Sequence, residues 1–404
     1  MVVGVTQHGE HRFIAHGVAD RAGRPVDQDT VFEIGSITKL FTVLLLADMV
    51  CRGTAALNEP VSALLPAGTS VPERNGKQIT LLQLAAHTSG LPRVPADLPQ
   101  DSPDPYAGYT PERLYAFLAG CKLARVPGDG FEYSNLGAGL LGHALALRAG
   151  QEYEDLVASH ILRPLGMAST AIHLPPSMAA RFASAHDDSG DPVPAWDLAV
   201  LAGAGGLRAT APDLLLFLDA LMDTDAGPLG TAAALLAAPR DAGGLGFGLP
   251  QPEGHLALQH EGGTGGFRSY AGCVPAWRRG AVVLANASTG RPTDLGIHLC
   301  DPRWSLHWHR QPVAVDPECF DRLLGCYRMR PNFMFDITRN GDRLLVQLTG
   351  QSVIRVFPLS EWQFFYKHQS IGAQITFERG TDGRAARLIL HQNNMDQTAD
   401  RIEN

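Results

Sequence analysis

Residues 31–53 read VFEIGSITKLFTVLLLADMVCRG and contain the change of pattern that decides the fold. The first five residues, VFEIG, have the short apolar pattern of a β-strand. Residues 36–52 are apolar on nearly every face, which is typical of a helix that is buried on all sides. Gly53 is a residue type that commonly ends a helix. The stretch therefore predicts a strand that leads directly into a buried helix.

Strand patterns lie on both sides of this helix. VVGVTQ and RFIAHGVA precede it, and FGLP, HLALQHEG, RSYAGCVP and AVVLANAS follow between residues 245 and 290. Between residues 58 and 205, helical stretches such as LLQLAAHTSG alternate with Pro and Gly clusters, and Thr210 is expected to cap a further helix, LLLFLDALMD. Strands from both ends with helices between them predict an α/β fold.

The pattern changes again near residues 311–317, QPVAVDP. Beyond this point short alternating stretches follow one another, and Asn340-Gly341-Asp342 and Asp382-Gly383 are typical of hairpin turns. Seven or eight such strands predict a small antiparallel barrel or sandwich. The stretches are LLGCYRM, FMFDITR, RLLVQLT, VIRVFPL, WQFFYKH, AQITFERG and ARLILHQ.

Composition excludes several classes of function. The chain has 404 residues, 45% of them hydrophobic, and a net charge of −8 from 33 basic and 41 acidic residues. A negative chain is poorly suited to nucleic acid or to an anionic membrane. The longest apolar run, Leu40–Ala47, is far shorter than the ~20 residues of a membrane-spanning helix. The sequence leaves open whether the chain forms a homo-oligomer.

The N-terminus lacks the basic and apolar regions of a signal peptide. The chain as read is therefore expected in the cytoplasm, or in the periplasm or secreted if a signal has been removed. Two close histidines, His307 and His309, flank Trp308 but lack further ligands for a metal triad. We expect neither a metal nor another cofactor.

Ser36-Ile37-Thr38-Lys39 is the first candidate for chemistry. A Ser and a Lys three residues apart project from one face of a helix. Apolar neighbours predict a dry environment, which lowers the pKa of a Lys and lets its neutral amine accept the proton of a hydroxyl. The start of the helix also favours a developing oxyanion. The alternative is a Ser that caps the helix, with a Lys that faces solvent.

Tyr133-Ser134-Asn135 is the second candidate. A Tyr can act as a general acid or base, and an Asn amide can orient a substrate carbonyl. The alternative is a turn at the start of a helix, with a packed Tyr and an Asn cap.

The stretch HEGGTGGF at residues 260–267 is the third candidate and follows an alternating strand. Its glycines would let a substrate backbone approach, and a backbone N–H could point at the reacting oxygen. Arg268 comes directly after the glycines and could pair with a substrate carboxylate. The alternatives are a plain glycine-rich loop and a solvated Arg.

These three motifs stand in the order found in the serine β-lactamase/penicillin-binding-protein superfamily, and the chain resembles its class C and D-peptidase/esterase branch. Ser-x-x-Lys, Tyr-x-Asn and His-x-Gly are matched at Ser36/Lys39, Tyr133/Asn135 and His260/Gly262. Further phrases typical of the family are ITLLQLAAHTSGLP (79–92), RPLGMAST (163–170), AGGLRATAPDL (204–214) and GLGFGL (244–249).

The resemblance implies a β-lactamase-like serine hydrolase domain over residues 1–312 with an antiparallel sheet flanked by helices. An α/β platform would comprise residues 1–57 and 206–312, and an all-helical insert residues 58–205. The tail, residues 313–404, looks like the lipocalin-like β-barrel that some members carry.

The resemblance also implies roles for the residues. Ser36 would attack an ester, thioester or amide carbonyl, and Lys39 and Tyr133 would share the roles of base and acid. The backbone N–H groups of Ser36 and Gly263 would form the oxyanion hole. Asn135 and His260 would orient the substrate. Gly262, Gly263 and, from its position after the glycines, Arg268 are further candidates for substrate contacts.

His260 departs from the β-lactamase pattern, which has a Lys in the third motif. A His is mostly uncharged at neutral pH, so it is a weaker anchor for a carboxylate. This favours a small ester or a D-residue-containing peptide as substrate. The alternatives are an acyl transferase or thioesterase-type cyclase, a true β-lactamase, and a non-catalytic penicillin-binding sensor.

Overall fold

A computed structural model describes residues 1–99, 102–187, 190–224, 227–238, 248–250, 255–288, 292–304, 306, 312–330, 333–350, 353–366, 373–392 and 395–402. The chain divides into two compact units, Met1–Pro302 and Arg303–Asn404. The cluster at residues 307–309 and most of GLGFGL lie outside the described residues.

The first unit combines a sheet with helices. Its described strands are β1 (Val2–Gln7), β2 (Glu10–Ala15), β3 (Phe32–Glu33), β4 (Ala185–His186), β5 (Pro192–Val193), β6 (Arg208–Ala209), β7 (Gly248–Pro250), β8 (Leu256–Gly263), β9 (Arg268–Val274) and β10 (Arg279–Ala285). Six of them form one sheet in the order β2-β1-β10-β9-β8-β7, and every neighbouring pair is antiparallel. The other four form two small pairs, β3 with β6 and β4 with β5.

The described helices lie between β3 and the end of this unit. They are α1 (Thr38–Cys51), α2 (Leu81–Ala85), α3 (Pro111–Gly120), α4 (Asn135–Ala149), α5 (Tyr153–Val157), α6 (Arg163–Leu165), α7 (Pro176–Ala179), α8 (Ala211–Met222), α9 (Gly230–Ala237) and α10 (Pro292–Cys300). The mixed α/β architecture with an antiparallel sheet is confirmed. Within residues 58–205 the described elements are helical except for the short pair β4 and β5.

Helix α1 is buried along almost its whole length, as its all-round apolar sequence predicts. Phe41 stacks on Phe217 of α8 with ring centroids 3.9 Å apart. The expected start of the helix at Ser36 is wrong by two residues. Ser36 lies in a 3-10 turn, Gly35–Ile37, and the α-helix begins at Thr38. The turn follows because Gly35 has a positive φ of 50°, which breaks regular geometry immediately before Ser36.

Two other local expectations are corrected. The stretch LLQLAAHTSG is helical only at Leu81–Ala85, because His87 adopts a left-handed backbone conformation with φ 56°. Thr210 is at the N-cap position of α8, but its side chain makes no capping hydrogen bond. A different contact ties the first turn of α8 to the preceding chain: the carboxylate of Asp213 accepts hydrogen bonds from the Ser169 N–H and the Thr170 hydroxyl, both at 2.8 Å.

The second unit is a closed antiparallel barrel, as expected for a lipocalin-like domain. Seven strands correspond to the predicted stretches, and the eighth, MDQTADRI, closes the barrel by pairing with both the seventh and the first of these strands. The strands are β11 (Gly325–Arg330), β12 (Phe333–Asn340), β13 (Arg343–Leu348), β14 (Ile354–Pro358), β15 (Gln363–Tyr366), β16 (Ala373–Arg379), β17 (Ala385–Gln392) and β18 (Met395–Ile402). Buried aromatic rings such as Phe335, Phe364 and Phe377 fill its core.

No helix in the described ranges has both the length and the apolar character needed to cross a membrane.

Candidate active site

The three motifs meet at the hydroxyl of Ser36. The Lys39 Nζ lies 2.9 Å from Ser36 Oγ, and the Tyr133 hydroxyl donates to the same oxygen at 2.8 Å. The Lys39 amine also donates to the backbone carbonyl of Ala204 at 2.6 Å. Ser36 and Lys39 stay within hydrogen-bonding distance although Ser36 lies in the 3-10 turn, because that turn leads directly into α1. The structure thus places one hydroxyl between an amine and a phenol.

Burial controls the protonation of this cluster. Lys39 is only 1% exposed, and desolvation, followed by the positive charge of Arg93, lowers its pKa well below the ordinary value of 10.5. Desolvation raises the pKa of Tyr133 to about 12 despite its hydrogen bond to Ser36. At neutral pH the phenol therefore keeps its proton, while the environment of the amine favours the neutral form.

Close backbone contact brings the third motif to Ser36. A Cβ on Gly35 would lie 2.7 Å from the Gly263 nitrogen, and a Cβ on Gly262 would lie 2.1 Å from the Ile34 carbonyl oxygen. Real Cβ atoms do not approach so closely, so only glycine allows the end of β8 to pack against the turn that carries Ser36. The hydroxyl of Ser269 on β9 fastens this contact by donating to the Ile34 carbonyl at 2.8 Å.

Tyr133 is held at the start of α4. The Ser134 hydroxyl accepts the Gly137 N–H at 2.8 Å and so caps the helix, while its own proton goes to the Pro92 carbonyl at 2.6 Å. The ring of His87 packs against the Tyr133 ring with centroids 4.7 Å apart. His87 is buried, and its Nδ1 accepts the Ser134 N–H at 3.2 Å. These contacts give His87 a structural role, which is to hold Tyr133 and the start of α4 in place.

Asn135 lies next to this cluster. Its Nδ2 donates to the Tyr106 hydroxyl at 3.1 Å. Within the described part of the chain, its buried Oδ1 accepts no hydrogen bond. A buried amide oxygen without a donor is costly, so it is suited to receive an N–H from a ligand.

His260 lies on β8, and its ring centroid is 6.0 Å from that of the Tyr133 ring. Desolvation, followed by the charge of Lys39, lowers the pKa of His260 to about 3. The ring is therefore neutral at physiological pH, and it can contact a substrate by hydrogen bonding but not by charge.

Arg268 is at the start of β9, opposite Gly263 in the strand register. Its Nη1 donates to the carbonyls of Thr264 at 2.8 Å and Phe267 at 2.9 Å. This nitrogen therefore braces the glycine-rich turn. Contact of Arg268 with a substrate stays a prediction.

Sequence reasoning missed two groups at the site. The carbonyl of Ala204 belongs to the backbone and leaves no side-chain signal. Arg93 directly follows the HTSGLP phrase, and its guanidinium carbon lies 5.0 Å from the centroid of the Tyr133 ring. Its position next to a family phrase was the available signal. Among the described residues, no group of three or more His, Cys, Asp or Glu side chains is placed to hold a metal ion.

Comparisons with known proteins agree with this geometry. The Beta-lactamase family matches residues 1–297, and a domain of unknown function (DUF3471) matches residues 309–403. The chain is 32% identical over 280 residues to the D-alanyl-D-alanine-carboxypeptidase/endopeptidase AmpH of Escherichia coli, covering 64% of this chain and 72% of that protein. It is 30% identical over 325 residues to a Beta-lactamase of Pseudomonas fluorescens, covering 70% and 87% respectively.

Solved structures give the same result. A class C beta-lactamase superposes with a TM-score of 0.64 at 26% identity, over 74% of this chain and 88% of that one. A Beta-lactamase/D-alanine carboxypeptidase from Yersinia pestis superposes with a TM-score of 0.63 at 26% identity, over 71% and 86%. Fold and relatives define the protein as a serine hydrolase. Within that class, the chain belongs to the Beta-lactamase family.

Proposed function

We propose that the protein forms an acyl-enzyme on Ser36 and cleaves a small ester or the amide of a D-residue-containing peptide. The observation that carries the proposal is the 2.9 Å contact between Ser36 Oγ and the buried Lys39 amine. Since the Tyr133 phenol already donates to Ser36 Oγ, the serine proton is free to point at the lone pair of a neutral Lys39. This arrangement activates the hydroxyl as a nucleophile.

The acylation step follows from these contacts. Ser36 Oγ bonds to the carbonyl carbon as its proton passes to Lys39 Nζ, which leaves a tetrahedral oxyanion. The N–H groups of Ser36 and Gly263 stabilise that oxyanion, which the close packing of Gly35 against Gly263 supports. As the intermediate collapses, Tyr133 gives its proton to the leaving oxygen or nitrogen, and the Lys39 ammonium restores the phenol.

Water completes the cycle. It loses a proton to the neutral Lys39 amine as it adds to the acyl carbon. When the bond between the acyl carbon and Ser36 Oγ breaks, the Lys39 ammonium returns that proton to Ser36 Oγ and the acid is released. The orphan Oδ1 of Asn135 would accept an N–H on the acyl side of a peptide substrate. The neutral His260 would orient the substrate without binding its charge.

The relatives named as carboxypeptidase/endopeptidase and Beta-lactamase support both peptide and β-lactam amides as substrate types. The low pKa of His260, at about 3, makes it a poor replacement for a cationic anchor and favours substrates that need no charge at the third motif, such as small esters.

Time-resolved mass spectrometry of the intact protein tests this function. The protein is incubated in parallel with a p-nitrophenyl ester, an acetylated D-alanyl-D-alanine and a labelled penicillin. We expect transient acylation that requires Ser36, and Ser36→Ala should lower turnover by at least about 10⁴-fold. Wild-type turnover in the Ser36→Ala variant would refute the assignment. A mass increase that never decays would instead indicate a penicillin-binding sensor, and transfer of the acyl group to an added amine or alcohol would indicate an acyl transferase.

A further inference from the structure

Arg93 has a fixed place beside the reacting groups. Its carbonyl accepts the N–H groups of Asn135 at 2.8 Å and Leu136 at 3.2 Å, which ties the residue to the first turn of α4. The Ser134 hydroxyl holds the preceding carbonyl of Pro92 at 2.6 Å. The main chain alone makes these contacts, so the Arg93 side chain is not needed to hold its own position.

The side chain is exposed, but it is aimed at the site. Its guanidinium lies over the Tyr133 ring at 5.0 Å, and the Lys39 Nζ lies 4.9 Å from the centroid of the same ring. The phenol of that ring donates to Ser36 Oγ. A group held by Arg93 would therefore lie within a few ångströms of the reacting carbonyl.

The charge of Arg93 lacks a carboxylate partner among the described residues. Two other arginines of this unit are engaged: Arg125 pairs with Glu132 at 2.8 Å, and Arg268 donates to backbone carbonyls. The carboxylate of Glu261, on β8, instead accepts the Thr293 hydroxyl at 2.9 Å. An exposed guanidinium without such a partner keeps its planar donor fork available for a ligand carboxylate.

We propose that Arg93 is a specificity-determining residue that binds a carboxylate of the substrate. The inference rests on the proposed function and adds the substrate class: esters or peptides that carry a negative charge close to the scissile bond. It also assigns the anchoring charge to the loop between α2 and α3 and not to the third motif, where His260 is neutral.

Matched substrate pairs test the proposal. Mono-p-nitrophenyl succinate and p-nitrophenyl butyrate differ by a carboxylate on the acyl side. Acetyl-D-alanyl-D-alanine and its C-terminal amide differ by one on the leaving side. In Arg93→Ala, kcat/KM for the charged member of at least one pair should fall roughly 10- to 100-fold more than for its neutral member, the range of a charge-assisted hydrogen bond. The affected pair identifies the side that Arg93 contacts.

The ratio of kcat/KM between the charged and the neutral member of each pair separates carboxylate binding from a second effect of the Arg93 charge. Arg93 helps to lower the pKa of Lys39, so Arg93→Ala should also slow the neutral substrates somewhat. Arg93→Lys keeps the charge but loses the fork, and it should restore part of the preference. Arg12→Ala is the matched control, because this exposed arginine lies on β2, four strands away from β8 in the sheet, and it should leave both ratios unchanged.

Two outcomes separate the proposals. Equal losses for charged and neutral members in both pairs would overturn the role of Arg93 while leaving Ser36 chemistry intact. If wild type cleaves none of the four substrates, the proposed function fails for these classes. The role of Arg93 is then read from binding of 3-carboxyphenylboronic acid and phenylboronic acid to Ser36. Equal weakening of both by Arg93→Ala would overturn it, and selective weakening of the carboxylated one would support it.

Discussion

In residues 1–302 the interior holds Glu33, Lys39, His87 and Asp213 among its apolar side chains, whereas the described buried side chains of residues 303–404 are all hydrophobic. Burying a polar group is costly unless it is paired. The barrel avoids this cost, and even its buried Tyr327 donates its hydroxyl to the Leu323 carbonyl at 2.6 Å. In the first unit, burial destabilises the Lys39 ammonium, which is the condition that the proposed role of its amine as a base requires.

Two tyrosines, one in each unit, allow this comparison to be tested by experiment. Tyr133→Phe removes the phenol that donates to Ser36, and kcat/KM should fall roughly 10²- to 10³-fold because a general acid is lost. Tyr327→Phe removes the matched hydroxyl of the barrel and should leave kcat/KM unchanged while lowering the free energy of unfolding by about 1 kcal/mol. Kinetics and chemical denaturation of both variants provide the measurement.

Similar behaviour of the two variants would contradict this difference between the units. A Tyr133→Phe enzyme with full activity would remove this phenol from the mechanism. A Tyr327→Phe enzyme that folds normally but loses turnover would show that the barrel contributes to the reaction.

Two glycines with positive φ, one in each unit, allow a second comparison, for which we expect a smaller effect on the kinetics. Gly35, with φ 50°, has the Gly263 nitrogen 2.7 Å from where a Cβ would lie, whereas Gly341 of the barrel, with φ 60°, has nothing within 4 Å. Both Ala variants should lose about 1 kcal/mol of stability from backbone strain. Gly35→Ala should in addition displace Gly263 and lower kcat by roughly 10-fold or more, as expected when an oxyanion donor is misplaced.

Equal kinetics in Gly35→Ala and Gly341→Ala would show that the contact between the Ser36 turn and β8 does not position reacting groups. Unfolding curves recorded beside the kinetics separate strain from misplacement, because strain alone lowers stability without changing kcat.

The sequence predicts those features of the site and of the barrel that depend on local periodicity, but not those that depend on tertiary packing. The proximity of Ser36 and Lys39 follows from their spacing, and seven barrel strands follow from alternation, since both depend on local periodicity. The strand MDQTADRI was missed because its residues are mostly polar, and it is placed by pairing with two neighbours. The Ala204 carbonyl and the Arg93 guanidinium reach the site through tertiary packing, which the local pattern does not encode.

The protonation state of Lys39 is the most direct test of the account. Only four lysines occur in the chain, so lysine labelled with ¹³C at Cε gives few NMR signals, and Lys39→Met assigns the relevant one. Burial lowers the Lys39 pKa, so its signal should report a neutral amine at neutral pH and protonate only as the pH falls, with kcat/KM declining over the same range. The exposed Lys77 and Lys122 serve as internal references. A Lys39 signal that titrates together with these references, in an enzyme that is fully active at neutral pH, would contradict the account.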